Sequence, residues 1–262
     1  MLPLLITLII LLAAFLFLIF PAARNHPDLK KLRGKYIAHR GFHTEGAPEN
    51  SIAAFKNAVL HGYMIENDIH LTKDGEVVVF HDDTTDRMCG FSGRVEDMTL
   101  AELKELSLGG TNEKIPTLKE CLDTVGGKVP LLIEFKEAKD FAKLCSAADK
   151  ILSEYDGEYF VQSFYPQALY WYKKNRPKIC RGQLAEPFKK DKLVRRILGL
   201  MLLNFISRPD FVSYKHSSAN HFMLRLVCFF GAMPIGWTIR SEEKLEQAKK
   251  YFKAYIFEKF AP

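Results

Sequence analysis

The chain has 262 residues, of which 48% are hydrophobic and 26% charged, the composition of a globular protein with a sizeable core. Its net charge of +6 weakly favours anionic partners such as phosphates or an acidic membrane surface. The basic residues are scattered rather than gathered into a stripe, which argues against a nucleic-acid partner. The five cysteines are irregularly spaced and include no CxxC pair, which argues against a disulfide framework and favours a reducing compartment.

The first segment, residues 1–23, contains no charged side chain and is long enough as a helix to cross a hydrocarbon core of ~30 Å. A cleaved signal peptide is the alternative, but it would carry basic residues before a shorter apolar core. Positive charge instead follows the segment, between Arg24 and Lys35. We therefore expect a single-pass anchor over 1–23, a basic linker over 24–35 and a folded domain over 36–262. The positive-inside rule places this domain on the cytoplasmic side.

After the linker, short apolar strands alternate with helices. "YIAHRG" predicts a strand that ends in a loop, and "NSIAAFKNAVLHG" predicts a helix that Asn50 or Ser51 caps and Gly62 ends. "YMIENDIHLTKDGEVVVFHD" predicts two strands joined by a turn at residues 73–75, and "TLAELKEL" predicts a short helix capped by Thr99. "PLLIEFK" is a continuous apolar strand, which is typical of a buried parallel sheet.

The second half of the chain continues this alternation. Strands are predicted at "EYFVQSF", "ICRGQLAE", "DFVSY", "PIGWTI" and "AYIFEKF", with helices around 138–153, at 166–175, near 189–205, near 219–230 and at 241–251. About eight strand–helix units in ~230 residues predict an α/β fold, the TIM (β/α)8 barrel. Residues 83–117 fit no such unit, so we expect them to form a small excursion on one side of the barrel.

In a TIM barrel the chemistry lies where the strands end. Polar residues interrupt or terminate the predicted strands here, and burying them unpaired would be costly, so we expect them to converge. They are His39, Arg40, Glu66, Asp68, His81, Glu134, Lys136, Gln162 and Trp237.

Three of these residues are acidic. Glu66 and Asp68 are two positions apart and therefore point to the same face of a strand, although such a pair alone could also mark a solvated sheet edge. Glu134 adds a third carboxylate from an apolar strand, and three carboxylates in one pocket repel each other unless a cation joins them. Oxygen ligands without His or Cys favour a hard ion, so we predict a divalent metal, Mg²⁺ or Ca²⁺.

The remaining charged residues suit a phosphate ester. His39 and His81 could transfer protons near neutral pH, although either histidine alone could have a structural role. Arg40 and Lys136 could bind a phosphate next to the metal, since arginine holds such an anion with two hydrogen bonds.

These residues lie in stretches that resemble the glycerophosphodiester phosphodiesterase family. The matching stretches are "AHRGFHTEGAPENSIAAFKNAVLHGYMIENDIHLTKDGEVVVFHD", "IPTLKECL", "LLIEFK", "VQSF" and "GWTI". The resemblance implies a TIM barrel, a divalent metal and hydrolysis of a phosphodiester that bears glycerol. By position it implies metal ligands at Glu66, Asp68 and Glu134, an acid and a base at His39 and His81, phosphate binding by Arg40 and Lys136, and further site positions at Glu49, Asn50, Gln162 and Trp237.

The chain departs from the family pattern at Ser51, where threonine is usual, and at Arg240, where asparagine is frequent. Arg240 is expected to alter contacts beside the pocket. A lysophospholipase D that acts on lysophospholipids in the membrane is the alternative function, supported by the anchor and by residues 187–206, which begin basic and continue apolar. Such a segment could also be an ordinary barrel helix. A binding protein that has lost catalysis would lack some of the site residues, and all of them are present.

Overall fold

The computed structural model of the chain describes residues 1–22, 25–187 and 193–262. Its centre is a closed barrel of eight parallel strands, as the sequence predicts. In chain order, the strands are β1 (Tyr36–Ala38), β2 (Met64–Leu71), β3 (Val77–Val79), β4 (Leu131–Phe135), β5 (Tyr159–Ser163), β6 (Arg181–Ala185), β7 (Phe211–Lys215), β8 (Met233–Ile239) and β9 (Ala254–Phe257). Strand β3 lies outside the barrel and pairs antiparallel with β2.

The barrel closes because β1 pairs with both β2 and β9, so the order around it is β1, β2, β4, β5, β6, β7, β8 and β9. The described helices are α1 (Leu2–Ile19), α2 (Leu29–Leu32), α3 (Ile52–Leu60), α4 (Asp86–Cys89), α5 (Leu100–Glu105), α6 (Leu118–Val125), α7 (Phe141–Leu152), α8 (Pro166–Asn175), α9 (Leu193–Gly199), α10 (Asn204–Ser207), α11 (Phe222–Phe229) and α12 (Glu242–Ala248).

Helix starts follow the capping residues of the sequence. The Ser51 side chain accepts a hydrogen bond from the Ala54 N–H and caps α3, which settles the choice between Asn50 and Ser51. Thr99 and Thr117 each form a capping box with the glutamate three positions on, at α5 and α6. These local bonds set where each helix enters the ring around the barrel.

The single helix predicted near 189–205 is wrong in its described part. Residues 188–192 lie outside the described residues, and the chain that follows forms two short helices, α9 and α10. Between them the backbone of Met201 has a φ of 56°, a left-handed conformation that a helix cannot contain. Apolar content alone did not reveal this break.

The excursion that the sequence predicts at 83–117 has a small core of its own. Val78 and Phe80 enter it from β3 and its end, and Val95, Leu103 and Ile115 come from the excursion itself. All five are essentially inaccessible to solvent. This packing holds the end of β3, and therefore His81, against the mouth of the barrel.

Helix α1 differs from the barrel helices. It has 18 residues and a mean hydropathy of 3.1, so it is long and apolar enough to cross a membrane, and 6% of that window is buried. The side chains from Leu2 to Leu12 are exposed, and Ile19 in the last turn is fully buried against the barrel. The helix therefore projects from the folded body and contacts it through its last turns.

Candidate active site

A cavity of about 170 Å³ opens at the carboxyl ends of the barrel strands. It brings together most of the residues that the sequence selected, namely His39, Arg40, Glu66, His81, Glu134, Lys136, Gln162 and Trp237, and it also contacts Phe164, Leu184, Thr238, Arg240 and Ile256. A larger surface concavity of about 680 Å³ between Pro187 and α12 has no carboxylate among the described residues that line it. The smaller cavity is therefore the one with a charge pattern suited to chemistry.

The turn after β1 positions the first group of site residues. Arg40 and Asn50 both adopt left-handed backbone conformations, with φ values of 57° and 56°, which are costly for residues other than glycine. Between them, Gly41 has a φ of 82°, and a Cβ there would lie 2.9 Å from the Ala54 Cβ. The Asn50 N–H donates to the Arg40 carbonyl at 2.8 Å and closes the loop. The strained turn fixes the Arg40 side chain at the cavity.

Strand register places the acidic residues side by side. Asp68 on β2 pairs with Glu134 on β4, and Glu134 pairs with Gln162 on β5, so the three point the same way. Glu66 lies two positions earlier on β2, on the same face. Ligand oxygens of Glu66, Asp68 and Glu134 lie within 4.8 Å of one another, and all three side chains are buried. The predicted carboxylate group is therefore brought together.

Neighbouring polar groups hold these carboxylates in place. The Arg40 backbone N–H donates to Glu66 Oε2 at 3.0 Å, and Asn50 Nδ2 donates to Asp68 Oδ2 at 2.9 Å. Gln162 Nε2 donates to Glu66 Oε1 at 3.5 Å, and Gln162 Oε1 accepts from Ser213 Oγ at 2.7 Å. Asp68 Oδ1, although buried, has no hydrogen-bond partner among the described residues.

Burial and mutual repulsion act on the ionisation of the cluster. Burial raises the pKa of Glu66 well above its ordinary value, and the charges of Asp68 and Glu134 raise it further. Burial likewise raises the pKa of Glu134. Burial alone would raise the pKa of Asp68 too, but the positive charges of Lys136, His81 and Arg40 outweigh it and lower that pKa. The cluster thus has too little positive charge for all three carboxylates to ionise, and a divalent cation would supply it.

Two cations lie beside the carboxylates. Lys136 Nζ donates to Glu134 Oε1 at 2.9 Å and lies 3.4 Å from Asp68 Oδ1. Burial opposes its charge, but Glu134 and Asp68 raise the pKa of Lys136 above the ordinary value. Arg40 donates through Nη1 to Glu49 Oε1 at 2.6 Å, while its Nε has no hydrogen-bond partner among the described residues. Both residues therefore stay charged and line the cavity.

His39 is held by a carboxylate that the sequence analysis did not select. Its Nδ1 lies 2.5 Å from Glu258 Oε2, and Arg240 Nε donates to the other carboxylate oxygen at 2.5 Å. Burial lowers the pKa of His39 and the charge of Arg40 adds to this, despite the opposing bond to Glu258. A neutral His39 must then donate from Nδ1 to the carboxylate, which leaves Nε2 as an acceptor.

His81 is held in a similar way at the edge of the excursion. Its Nδ1 lies 2.6 Å from Asp82 Oδ1, and Arg87 Nε donates to Asp82 Oδ2 at 2.6 Å. Burial alone would raise the pKa of Asp82, but the bonds to His81 and Arg87 lower it, so the carboxylate is ionised at neutral pH. Arg87 also donates to Glu49 Oε1 at 2.6 Å and thereby connects this group to Arg40.

Three residues that hold the two histidines were therefore missed from the sequence: Glu258, Asp82 and Arg87. Glu258 lies within the predicted strand "AYIFEKF" and directly follows the observed β9, and a charged residue at a strand end was the criterion that selected Glu134. Asp82 follows His81 directly. The expectation that Arg240 alters contacts beside the pocket agrees with its bond to Glu258 and its place in the cavity wall.

Fold and site together define a TIM-barrel enzyme with an acidic centre between two histidines. The model of the glycerophosphoryl diester phosphodiesterase family matches residues 39–251 of the chain. The chain belongs to that family and is a phosphoric diester hydrolase.

Individual relatives agree with this assignment. The Bacillus subtilis protein YhdW, provisionally named a glycerophosphodiester phosphodiesterase, is 33% identical over 220 residues, which cover 79% of this chain and 86% of that protein. A lysophospholipase D of Rattus norvegicus is 34% identical over 139 residues, covering 48% of this chain and 44% of that protein. An Oleispira antarctica phosphodiesterase, solved with its product sn-glycerol-3-phosphate, superposes with a TM-score of 0.72 at 26% identity and covers 87% of this chain and 94% of its own.

Proposed function

We propose that the chain hydrolyses glycerophosphodiesters to glycerol phosphate and an alcohol in a reaction that depends on a divalent metal ion. The observation that carries this proposal is the convergence of three buried carboxylates, two cations and two histidines in one cavity. The product bound to the Oleispira antarctica phosphodiesterase supports the substrate class.

Glu66, Asp68 and Glu134 would hold the metal, Mg²⁺ or Ca²⁺. Oxygen ligands suit these hard ions, and the buried Asp68 Oδ1 without a hydrogen-bond partner is a natural ligand atom. An ion bound there would supply Lewis-acid polarisation of the phosphoryl group. The residues therefore fit the group.

Arg40 and Lys136 bind the other phosphoryl oxygens. Arg40 Nε has a hydrogen to donate, and Lys136 is held at the edge of the carboxylate cluster by Glu134. Fixed positive groups of this kind stabilise the negative charge that grows on the phosphoryl oxygens in the transition state. The indole N–H of Trp237 also lacks a partner among the described residues and is a donor for a polar group of the substrate.

His39 acts as the base and His81 as the acid. Neutral His39 removes a proton from the nucleophile through Nε2, and Glu258 stabilises the positive charge that the ring gains. His81, whose Nδ1 is held by Asp82, donates a proton to the leaving alkoxide. The nucleophile is water or a substrate hydroxyl, and the latter course passes through a cyclic phosphate.

We also propose that residues 1–23 form an uncleaved membrane anchor, that 24–35 form a basic linker and that 36–262 form the catalytic domain on the cytoplasmic side. Residues 23 and 24 lie outside the described part of the chain. The full chain should stay in membranes after an alkaline wash. A mature protein that begins after Ala23 and is secreted would contradict both the anchor and its orientation.

Lysophospholipase D activity is the second candidate function. It is favoured by the similarity to the rat lysophospholipase D and by the apolar α1. Turnover of glycerophosphocholine and of lysophosphatidylcholine should be compared at equal metal concentration. Faster turnover of the soluble diester supports the first proposal, and faster turnover of the lysolipid supports the second.

The metal requirement is tested by a substrate panel with metal titration. Exhaustive chelation should abolish turnover, and Mg²⁺ or Ca²⁺ should restore it. Glu66→Gln and Asp68→Asn should raise the metal concentration needed for half-maximal rate and lower the rate itself. Unchanged turnover after complete chelation would show that the carboxylates have another role.

The roles of the histidines are tested with two leaving groups. From a p-nitrophenyl ester of glycerol phosphate the leaving group is p-nitrophenolate, which departs without protonation, whereas the alkoxide that leaves a natural diester needs a proton. His81→Ala should lose most activity on glycerophosphoethanolamine and little on the p-nitrophenyl ester. His39→Ala should lose activity on both substrates. The reverse pattern would exchange the two assignments.

A further inference from the structure

The base of α1 is fastened to the barrel by specific hydrogen bonds. Asn204 Nδ2 donates to the Ile19 carbonyl at 3.0 Å, and Arg208 Nη1 donates to the carbonyls of Phe17 and Phe20 at 3.1 and 2.7 Å. These carbonyls are among those that a helix end leaves without partners. The last turn of α1 therefore has a fixed position on the barrel, and the side of the barrel that surrounds it is defined.

Aromatic rings continue from this base onto the barrel surface. The Phe20 ring lies 5.1 Å from the Phe230 ring, which in turn lies 5.4 Å from the Phe229 ring. Phe229 is 82% exposed. Phenylalanine, like tryptophan and leucine, is typical of the apolar face of helices that lie in the membrane interface. An exposed phenylalanine thus stands two rings away from the end of the apolar helix.

Helix α11 extends this apolar surface along the side of the barrel. Phe222 and Phe229 are seven positions apart and lie on the same face of the helix, with Arg225 between them. All three side chains are exposed, Phe222 to 68%. The outward face of a barrel helix is normally polar, because it contacts water. Here its two ends are phenylalanines.

The surrounding segment is positively charged. Between residues 193 and 232 the sequence contains one acidic residue, Asp210, which is buried. The same segment contains exposed Arg196 and Arg225, and the exposed apolar side chains Leu193 and Leu200. Apolar side chains with arginines and no exposed carboxylate are complementary to an anionic lipid surface.

We propose that the outward face of α11, formed by Phe222, Arg225 and Phe229, rests on an anionic bilayer beside α1. This rests on the membrane anchor proposed above. Because α11 follows β7, its first residue lies at the mouth end of the barrel and its last residue at the opposite end. Contact along the whole helix lays the barrel on its side, so the catalytic cavity opens along the membrane surface rather than away from it.

The experiment uses the full chain in vesicles of phosphatidylcholine and phosphatidylglycerol, with bromine on the acyl chains. Phe229→Trp and Phe222→Trp each add emission to that of the two native tryptophans. We expect bromolipid to quench most of this added emission and aqueous iodide to quench little of it. Arg225→Glu in the Phe229→Trp chain should reduce the bromolipid quenching and remove its dependence on phosphatidylglycerol.

Leu60→Trp is the matched control. Leu60 is the last residue of α3, as Phe229 is of α11, and the two side chains are 81% and 82% exposed. The two helices lie on different sides of the barrel, because α3 leads into β2 and α11 leads into β8, three strands away. Its added emission should be quenched by iodide and spared by bromolipid. The same behaviour from Phe229→Trp would overturn the proposal. Protection of Phe229→Trp from both quenchers would also overturn it and would indicate a second copy of the chain on this face.

Two further measurements separate this proposal from those on which it depends. None of the substituted residues lines the catalytic cavity. Each variant should therefore turn over a soluble glycerophosphodiester in detergent at nearly the rate of the unchanged chain, and this rate serves as the check that the variant is folded. Absence of turnover in the unchanged chain would refute the catalytic proposal and leave the quenching result valid. A chain that an alkaline wash removes from the vesicles would overturn the anchor and the α11 contact together.

Discussion

Two histidines flank the cavity. Each is the first member of a hydrogen-bonded series in which a histidine contacts a carboxylate and the carboxylate contacts an arginine. In the first, the His39 arm, the ring bonds Glu258, which bonds Arg240. In the second, the His81 arm, the ring bonds Asp82, which bonds Arg87. In each arm the bond is made at Nδ1, so Nε2 is left for the substrate. A carboxylate behind a histidine sets its tautomer and orientation.

The arms differ in how the chain assembles them. Glu258 is 219 positions from His39 and reaches it because β9 pairs with β1, whereas Asp82 is the residue after His81. The side chain of Glu258 is 8% exposed and that of Asp82 is 24% exposed. Water can replace the Asp82 bond more easily than the Glu258 bond. A histidine held by a distant, buried carboxylate should therefore be the more sensitive of the two to loss of its partner.

The largest effect should come from the histidines themselves. His39→Ala and His81→Ala should each reduce kcat for a natural diester by ~10²-fold or more, because each removes a proton-transfer step. The double variant should be little worse than either single one, since both act in one reaction. Steady-state kinetics beside a thermal melt measures this. Near-normal turnover in a folded His39→Ala would show that His39 is a packed structural residue.

The next largest effects should come from Glu258 and Asp82, the carboxylates that hold the histidines, and the loss of kcat should differ between them. Glu258→Gln should reduce kcat by about 10- to 100-fold, the range typical for loss of a carboxylate that orients a metal-binding histidine. Asp82→Asn should cost less than ~10-fold, because its side chain is more exposed and water can take over the bond. Both substitutions keep the size of the side chain. Equal losses would mean that burial does not distinguish the two arms.

The pH profile should separate the arms further. Burial and the charge of Arg40 lower the pKa of His39, so the ring stays neutral below the ordinary value of 6.5. If His39 is the base, kcat/KM falls as pH decreases through this lowered pKa, and its acid limb lies below pH 6.5. The bond to Glu258 opposes the shift, so Glu258→Gln should move the limb to still lower pH. If Asp82→Asn moves the acid limb of kcat/KM and Glu258→Gln does not, the limb belongs to His81 rather than to His39.

The smallest effect should come from Arg240. Its side chain is 53% exposed, and exposed ion pairs contribute ~0–1 kcal/mol, so Arg240→Asn should change kcat by less than about 5-fold. Arg87→Asn should cost more, since Arg87 bonds both Asp82 and Glu49 and the latter bonds Arg40. Kinetics on the two variants in parallel, with a charge-preserving Arg240→Lys as control, gives the ranking. A larger loss in Arg240→Asn would reverse it.

Much of the site could be predicted from the sequence because its residues interrupt strong local patterns. Glu66 and Asp68 break an apolar strand at a spacing that puts both on one face, and Glu134 does the same in "LLIEFK". An uncompensated charge in such a place is costly, so its presence indicates a partner or a ligand. His39, Arg40 and His81 follow apolar strands, so the same cost of burying an unpaired polar group identifies them. Capping residues such as Ser51, Thr99 and Thr117 marked the helix starts.

The features that could not be predicted from the sequence depend on contacts between segments that are distant along the chain. Glu258, like Glu134, is a charged residue at the end of an apolar strand. Its partner His39 is determined by the pairing of β9 with β1, the last and first strands of the barrel. After the break that follows α9, helix α10 packs against α8 and α1, which are distant from it along the chain. The identities of the acidic, basic and histidine side chains were thus determined locally, by their cost in apolar strands. Their pairing, burial and ionisation were decided by the tertiary structure, because electrostatic energies depend on distances in space and on exclusion of water rather than on separation along the chain.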